Sequence, residues 1–205
     1  MLSLPNGVRH VPGYFDREEQ EALLTDIRQV AAEAPLYVPQ MPRTGKSMSV
    51  RMTNCGALGW LTDKERGYRY QGTHPITGKR WPAIPERLLA LWEQVSHYPH
   101  PPQACLVIFY DSSAKMGLHQ DRDEEVFDAP VVSVSLGDAC LFRVGGMSRS
   151  GKTVSFRLES GDLLVLGGEG RLRYHGVGRI YSGTCDLLKS GGRINLTLRR
   201  VTAPD

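Results

Sequence analysis

The chain has 205 residues, of which 40% are hydrophobic and 23% are charged. This composition is ordinary for a globular protein of one domain, and it excludes a disordered or fibrous chain. The formal net charge of +3 permits a polyanionic partner but excludes the strong charge of a histone-like binder. No signal sequence is evident, and no segment approaches the roughly 20 apolar residues of a membrane span. We therefore expect a cytoplasmic protein without a membrane partner.

Two helices are predicted in the first half of the chain. Residues 16–33 carry an apolar stripe of helical period, and Asp16 and Glu19 have the spacing of a capping box at its start. Glu86–Val95 also shows a helical apolar face, and Pro85 suits the first turn.

Residues 35–82 have no long periodic run and combine Pro, Gly, Arg and Lys with five tyrosines and tryptophans. One interpretation is a functional lid, because a long segment of this type is more often functional than filler. The alternative is a set of short surface hairpins whose aromatic side chains pack on the core. Composition alone leaves both interpretations open.

From residue 104 onward, short runs rich in Val, Leu, Ile, Phe and Thr alternate with Gly, Asp and Ser. The runs are ACLVIFY (104–110), KMGLHQD (115–121), PVVSVSLG (130–137), ACLFRVG (139–145), TVSFRLE (153–159), DLLVLGG (162–168), RLRYHGV (171–177) and RINLTLR (193–199). About eight short strands at such spacing predict a mainly β fold, a sandwich or jelly roll, with flanking helices. Cys105 and Cys140 lie in these runs and are predicted to be buried.

A candidate metal site begins with His119 and Asp121, which stand two residues apart. On a strand they would point to the same face. His175, predicted near the end of a late strand, is the best third ligand. Two histidines and one carboxylate leave open positions that suit non-haem Fe(II). An HxD triplet alone is common by chance and is weak evidence for a metal site. The other histidines, including His10 and His74, are expected at the surface.

The run 193–199 places Arg193, Asn195, Thr197 and Arg199 on one face of a strand. A buried face should not carry two arginines unless an anion lies there, and a guanidinium matches a carboxylate such as those of 2-oxoglutarate. The alternative is that this face is exposed to solvent and the Leu/Ile face is buried, which composition does not exclude.

In combination these segments resemble the AlkB family of DNA and RNA dealkylating oxygenases. The resemblance rests on HQD (119–121), YHG around His175 and RINLTLRR (193–200). It extends to MSVRMTNCGALGW (48–60), RGYRY (66–70), KRWPAIP (79–85), APVVSVSLG (129–137) and ESGDLLVLGGEGRLRYHG (159–176). It covers most of residues 46–200.

The resemblance implies one Fe(II)/2-oxoglutarate dioxygenase domain over residues 1–205. Residues 1–95 would supply helices and a nucleotide-recognition lid, and residues 104–200 a double-stranded β-helix, or jelly-roll, catalytic core. By position, His119, Asp121 and His175 would bind iron and form the catalytic centre. Four residues would bind the co-substrate, with Arg199 meeting its far carboxylate: Tyr110, Arg193, Asn195 and Arg199.

The same resemblance assigns four substrate contacts. Trp60 would stack on the damaged base, opposite the His119 ring. Tyr68 and Arg149 would contact the nucleic-acid backbone, and Asp123 would lie near the exocyclic amine of a flipped base.

Two positions depart from the family pattern. Ile108 stands where the family has a polar amide that helps to bind 2-oxoglutarate, and Leu166 replaces an aromatic side chain. Losing one neutral hydrogen bond costs about 0.5–1.5 kcal/mol, so we expect activity to be retained.

The expected reaction is oxidative removal of alkyl groups from bases such as 1-methyladenine and 3-methylcytosine, with release of aldehyde, succinate and CO₂. Single-stranded or duplex DNA, or RNA, would be the partner of a monomeric enzyme. Two alternatives remain at this stage. One is a related oxygenase that acts on tRNA or protein, and the other is a non-catalytic jelly roll that binds nucleic acid.

Overall fold

A computed structural model describes residues 4–203. The helices are α1 (Arg17–Glu33) and α2 (Glu86–Val95), and a short 3-10 turn covers Gly168–Gly170. The strands are β1 (Val8–Val11), β2 (Arg51–Gly56), β3 (Gly59–Asp63), β4 (Gly67–Gln71), β5 (Ala104–Tyr110), β6 (Met116–His119), β7 (Val131–Gly137), β8 (Ala139–Val144), β9 (Val154–Leu158), β10 (Leu163–Leu166), β11 (His175–Tyr181) and β12 (Arg193–Arg199).

Both helices form where the sequence predicts them. At the start of α1, the Glu19 amide donates to the Asp16 carboxylate and the Asp16 amide donates to the Glu19 carboxylate. This reciprocal capping box satisfies two amides that have no partner within the helix. Along α2, Leu88 and Trp92 are at most 1% exposed, which confirms the predicted apolar face. No helix within residues 4–203 is long and apolar enough to cross a membrane.

The strands form two antiparallel sheets and a hairpin. The larger sheet has the order β1-β10-β7-β12-β5-β2, the smaller β6-β11-β8-β9, and β3 pairs with β4. One core cluster contains residues of both sheets, such as Leu106, Phe142 and Phe156. A second cluster joins the outer face of the larger sheet to α1 and α2. The fold is the predicted jelly roll: the eight strands expected from residue 104 onward are β5 to β12, and β1 to β4 precede them in the described chain.

The two faces of strand β12 have different surroundings. Leu196 and Leu198 belong to the cluster beneath the helices. The alternate residues Arg193, Thr197 and Arg199 line a cavity between the sheets. Arg193 is 1% exposed and Arg199 is 6% exposed. The solvent-exposed alternative for this face is therefore wrong, because the smaller sheet covers it.

The segment 35–82 contains a short hairpin, and only some of its aromatic side chains pack on the core. Strand β2 joins the larger sheet beside β5, and β3 and β4 form a hairpin; we call this hairpin the lid hairpin. Tyr37 and Trp81 are buried in the core, whereas Trp60 and Tyr68 line an open cleft. The aromatic residues therefore serve both packing and the cleft. Period-two alternation is weak here because the hairpin is only partly buried.

Two local predictions are wrong. The strand predicted over residues 171–177 begins only at His175 and continues to Tyr181, so His175 lies at its start. The preceding residues turn instead of pairing, because the buried Arg171 side chain bonds the carbonyl oxygens of Asp121 and Ala129. His74 is not a surface residue: it is 1% exposed, and its ring bonds three backbone groups of the segment around it.

Gly176 allows β11 to approach β6 closely. A Cβ atom at this position would lie 2.5 Å from the carbonyl oxygen of Met116, a distance that real Cβ atoms do not tolerate. The neighbouring residue His175 is paired with His119 across these strands. Glycine at position 176 therefore lets the two strands bring both histidines together.

Candidate metal centre and co-substrate pocket

Three candidate ligands meet at one end of the jelly roll. His119 ends β6, Asp121 follows that strand, and His175 begins β11. Each offers one ligand atom, and these atoms lie within 4.8 Å of one another. The Asp121 carboxylate oxygens lie 3.6 Å from the Nε2 atoms of His119 and of His175. This set has the composition of a two-histidine, one-carboxylate metal site.

The backbone orients both imidazole rings toward the same point. The Nδ1 atom of His119 lies 3.0 Å from the carbonyl oxygen of Gly117. The Nδ1 atom of His175 lies 3.0 Å from the carbonyl oxygen of Arg173. A carbonyl oxygen only accepts, so each Nδ1 carries the proton and each Nε2 keeps a free lone pair. Both rings are thereby held in the tautomer that binds a metal through Nε2.

The electrostatics of the site keep Asp121 and His175 in their metal-binding forms. Burial alone would raise the pKa of Asp121, but Arg199, His175 and His119 together hold that pKa well below its usual range. Burial, together with the neighbouring His119, lowers the pKa of His175 to about 4. Near neutral pH, Asp121 is therefore a carboxylate and His175 a neutral imidazole, which are the forms that bind a cation.

A buried ion-pair cluster supports Asp121 from behind. Arg199 donates to Asp121 Oδ1 at 2.7 Å and to Glu124 Oε1 at 3.1 Å. Arg171 donates to the Asp121 carbonyl oxygen at 2.6 Å and to Glu124 Oε2 at 3.1 Å. The Tyr70 hydroxyl contacts Glu124 and accepts from Arg199. Two carboxylates and two guanidinium groups balance in charge, which is the condition for burying them.

An inner cavity of about 60 Å³ extends from the metal ligands between the sheets. Arg193, Asn195, Arg199 and Tyr110 all line it, so the structure brings together the four residues that the resemblance assigned to the co-substrate. Within residues 4–203, the buried side-chain nitrogens without a hydrogen-bond partner are Nε and NH1 of Arg193 and Nε of Arg199. A buried cation with unsatisfied donors calls for an anion.

A dicarboxylate co-substrate fits this pocket, because the free guanidinium nitrogens can donate to its carboxylates. Arg193 donates only from NH2, to Ser135 Oγ at 2.7 Å, so two of its nitrogens remain free for a carboxylate. Arg199 lies beside the metal ligand Asp121, at the metal end of the cavity. The pocket therefore contains two guanidinium groups at different positions, next to a set of ligand residues suited to iron.

An outer cleft of about 680 Å³ opens above the metal ligands. Trp60, Tyr68, Asp123 and Arg149 all line it, as do His119 and Asp121. The Trp60 indole donates to Asp123 Oδ2 at 2.8 Å, and its ring stacks against Tyr68 with centroids 5.6 Å apart. The four residues assigned to the substrate therefore share one cleft with the metal site.

Three residues of the buried cluster were not identified from the sequence: Tyr70, Glu124 and Arg171. Glu124 lies within HQDRDE and Arg171 within RLRYHG, so both were next to recognised motifs. A charged residue next to a metal-ligand motif was the available signal, but its burial depends on partners that are 47 to 75 residues away in the chain.

The fold and the site define a class of protein. The chain belongs to the 2OG-Fe(II) oxygenase superfamily, whose family model matches residues 7–199. With its His-Asp-His site, it is an Fe(II)- and 2-oxoglutarate-dependent dioxygenase.

Relatives narrow this class to the AlkB family, of which the chain is a member. It is 49% identical over 189 residues to an alpha-ketoglutarate-dependent dioxygenase AlkB homolog of Caulobacter vibrioides, covering 92% of this chain and 85% of that protein. It is 41% identical to the DNA N(6)-methyladenine demethylase ALKBH1C of Arabidopsis thaliana, covering 95% of this chain and 48% of that protein. The solved structure of OsALKBH1 superposes with a TM-score of 0.78 at 31% identity, covering 97% of this chain and all of that one.

Proposed function

We propose that this enzyme removes alkyl groups from N-alkylated bases of nucleic acids, with 1-methyladenine and 3-methylcytosine in DNA or RNA as its substrates. The observation that carries the proposal is the shared cleft. Trp60 and Tyr68 supply flat apolar surface, and Asp123 supplies an acceptor. The candidate metal ligands His119 and Asp121 lie in the same cleft. A demethylase name among the relatives, that of the Arabidopsis protein, supports the same substrate class.

Trp60 and Asp123 form the proposed recognition site for the base. Stacking on an aromatic ring contributes about 1–3 kcal/mol per base and tolerates any base, so Trp60 holds the base without reading it. Asp123 reads it, because a carboxylate accepts hydrogen bonds only. Trp60 occupies one lone pair of Asp123 through its indole N–H, and the remaining lone pairs are available to an exocyclic amine. Adenine and cytosine carry such an amine on their Watson–Crick edges.

Arg193 is the proposed partner of the far carboxylate of 2-oxoglutarate. This replaces the sequence-based expectation that Arg199 meets that carboxylate. Arg199 already donates to Asp121 and Glu124, whereas two nitrogens of Arg193 are free. Tyr110 is paired with Arg193 across the sheet, and burial raises the pKa of its phenol. Tyr110 therefore stays protonated and can donate to the same carboxylate.

His119, Asp121 and His175 would hold the iron, which with 2-oxoglutarate and O₂ would supply the oxidation that releases the N-alkyl carbon as an aldehyde, with succinate and CO₂ as the other products. The residues of this chain position the reactants. The inner cavity holds the co-substrate away from solvent, and the cleft holds the base above the ligands. Because the alkylated base must leave its stack to enter the cleft, single strands should be the better substrates.

Basic residues at the cleft edge are the proposed contacts to phosphates. Lys115, Arg122 and Arg149 line the cleft and are exposed. Each phosphate contact to a single strand makes the logarithm of the binding constant fall with the logarithm of salt by about 0.7. Arg149→Ala should therefore reduce the salt dependence of single-strand binding by about this amount.

We also propose that one chain suffices for activity. The metal ligands, the inner cavity and the cleft are all built from residues of a single copy. Strands from residues 1–95 join the same sheet as those from the catalytic core, which supports a single domain. Sedimentation of the active enzyme tests this proposal, and an obligate dimer would contradict it.

The deciding assay incubates methylated oligonucleotides with enzyme, Fe(II) and 2-oxoglutarate, and measures methyl loss by mass spectrometry together with succinate. DNA and RNA strands carrying 1-methyladenine or 3-methylcytosine form the arms, and strands carrying N3-methylthymine test the reading by Asp123. We expect methyl loss coupled to succinate, fastest on bases with an exocyclic amine. Absence of both products with every strand would refute the proposed function.

A further inference from the structure

The buried cluster behind Asp121 connects two parts of the molecule that are distant in sequence. Tyr70 belongs to β4 of the lid hairpin, Glu124 to the loop after β6, and Arg199 to the end of β12. The Tyr70 hydroxyl contacts Glu124 and lies 3.0 Å from Arg199 NH1. Arg199 in turn holds the metal ligand Asp121. A continuous chain of hydrogen bonds therefore runs from the lid hairpin to the metal site.

Glu124 is the central member of this chain. Its side chain is fully buried, and it accepts from Arg171 and Arg199 through different oxygens. Burial of this carboxylate is tolerated because it is paired with two guanidinium groups and hydrogen-bonded. Burial raises the pKa of Tyr70 well above its usual range, so this residue remains a phenol that donates. The Tyr70 hydroxyl on the lid hairpin therefore both donates and accepts a hydrogen bond within this network.

We propose that Tyr70 and Glu124 are positioning residues that transmit the position of the lid hairpin to Asp121 through Arg199. Closure of the hairpin on a substrate then sets the orientation of a metal ligand, without any contact between the hairpin and the metal. This inference adds to the proposed function, and its substrate-dependent part rests on that function.

The alternative is that Tyr70 merely anchors the lid hairpin. The chain offers a matched control for this, because Tyr37 also bonds the hairpin through its hydroxyl. That hydroxyl donates to the Trp60 carbonyl oxygen at 3.3 Å and has no part in the ion-pair cluster. Tyr37→Phe and Tyr70→Phe therefore remove the same atom from two hairpin anchors, of which only Tyr70 reaches Asp121 through Arg199.

The first experiment titrates metal-free protein with Co(II), whose visible spectrum reports ligand geometry, in the absence of nucleic acid. Tyr70→Phe removes a partner of the residue that holds Asp121, so it should weaken Co(II) binding about tenfold, the lower value for losing an outer-shell partner, and shift the visible bands. Tyr37→Phe should bind Co(II) like the wild type. Melting curves establish that both variants are folded.

Two results would overturn the proposal. Wild-type Co(II) affinity and spectrum in Tyr70→Phe would show that the chain of hydrogen bonds does not reach Asp121. Equal changes in both variants would assign the effect to general loosening of the hairpin. Neither result bears on dealkylation itself, because no base is present.

The second experiment adds a methylated oligonucleotide to the Co(II) and 2-oxoglutarate complex. We expect the spectrum to change in the wild type and in Tyr37→Phe, and to stay constant in Tyr70→Phe although the oligonucleotide binds. An equal change in all three proteins would contradict transmission through Tyr70. Failure of the oligonucleotide to bind the wild type would count against the proposed function instead.

Discussion

Replacing Arg193 by methionine tests the proposed pocket for the far carboxylate. Arg193 is 1% exposed, and its free Nε and NH1 atoms can donate two hydrogen bonds to one carboxylate. At about 1.5 kcal/mol each, the lower value for hydrogen bonds to a charged group, their loss amounts to about 3 kcal/mol. The KM for 2-oxoglutarate should therefore rise about 150-fold, as measured by succinate formation.

The same substitution should not lower the stability of the ligand-free protein. Without its co-substrate the wild type buries a guanidinium that lacks partners for two nitrogens, which opposes folding. The free energy of unfolding of metal-free Arg193→Met should therefore be no lower than that of the wild type. The gain in melting temperature on adding 2-oxoglutarate, which reflects ligand binding to the folded state, should be smaller than in the wild type at the same concentration.

Arg157 lies on β9 and pairs with Glu159 at the surface, so Arg157→Met should leave the KM for 2-oxoglutarate unchanged. A 2-oxo acid that lacks the far carboxylate should be used equally well by the wild type and by Arg193→Met. A wild-type KM for 2-oxoglutarate in Arg193→Met would refute the assignment of this arginine.

Three further predictions concern the cleft, the co-substrate and pH. Trp60→Ala should lower kcat/KM for methylated strands by about 10- to 100-fold through lost stacking while uncoupled succinate formation continues. Trp60→Phe keeps an aromatic ring and the acceptor Asp123, although the N–H bond between them is lost, so it should retain most binding and the preference for amine-bearing bases. Equal activity of the alanine variant would contradict the assignment. Ile108→Asn restores a polar amide beside the inner cavity and should lower the KM for 2-oxoglutarate by about two- to tenfold, with an unchanged KM counting against a contact there. In metal-free protein, burial and His119 lower the pKa of His175 to about 4, so as the pH falls the unfolded chain binds a proton at this residue before the folded protein does. The contribution of His175 to stability is fully present above about pH 6.5, and the free energy of unfolding falls by about 2 kcal/mol from about pH 7 to about pH 5. Urea unfolding would measure this fall, and an equal fall in His175→Asn would refute its assignment to His175.

The strands and helices that the sequence predicts well are those whose pattern is decided by burial. The runs 104–110 and 193–199 match β5 and β12 residue for residue, because both lie in the middle of the larger sheet. The helix 86–95 also matches, because its apolar face packs on that sheet. The candidate metal ligands could be predicted because His119 and Asp121 share one motif and the family resemblance added His175, which the structure places beside them.

The buried cluster could not be predicted, because long-range contacts determine it; the lid hairpin pairs neighbouring strands, and short hairpins were among the expectations for its segment. Tyr70 meets Glu124 across 54 residues of chain, and neither side chain has a local pattern that indicates this contact. Arg171 lies in a run that reads as a strand, but its bonds to the Asp121 loop prevent pairing. The respective positions of Arg193 and Arg199 likewise follow from their partners and not from their spacing.

The carbonyl oxygens that hold the two ligand histidines belong to the residues two positions earlier in the chain. One of these residues is glycine at position 117, which has no side chain to contribute. Ring orientation therefore depends on backbone conformation alone and is insensitive to the identity of the neighbouring side chains. During divergence, the cleft and the lid can accumulate substitutions while the metal-binding tautomers persist. Proteins with this arrangement can acquire new substrates while the geometry of the metal centre stays the same.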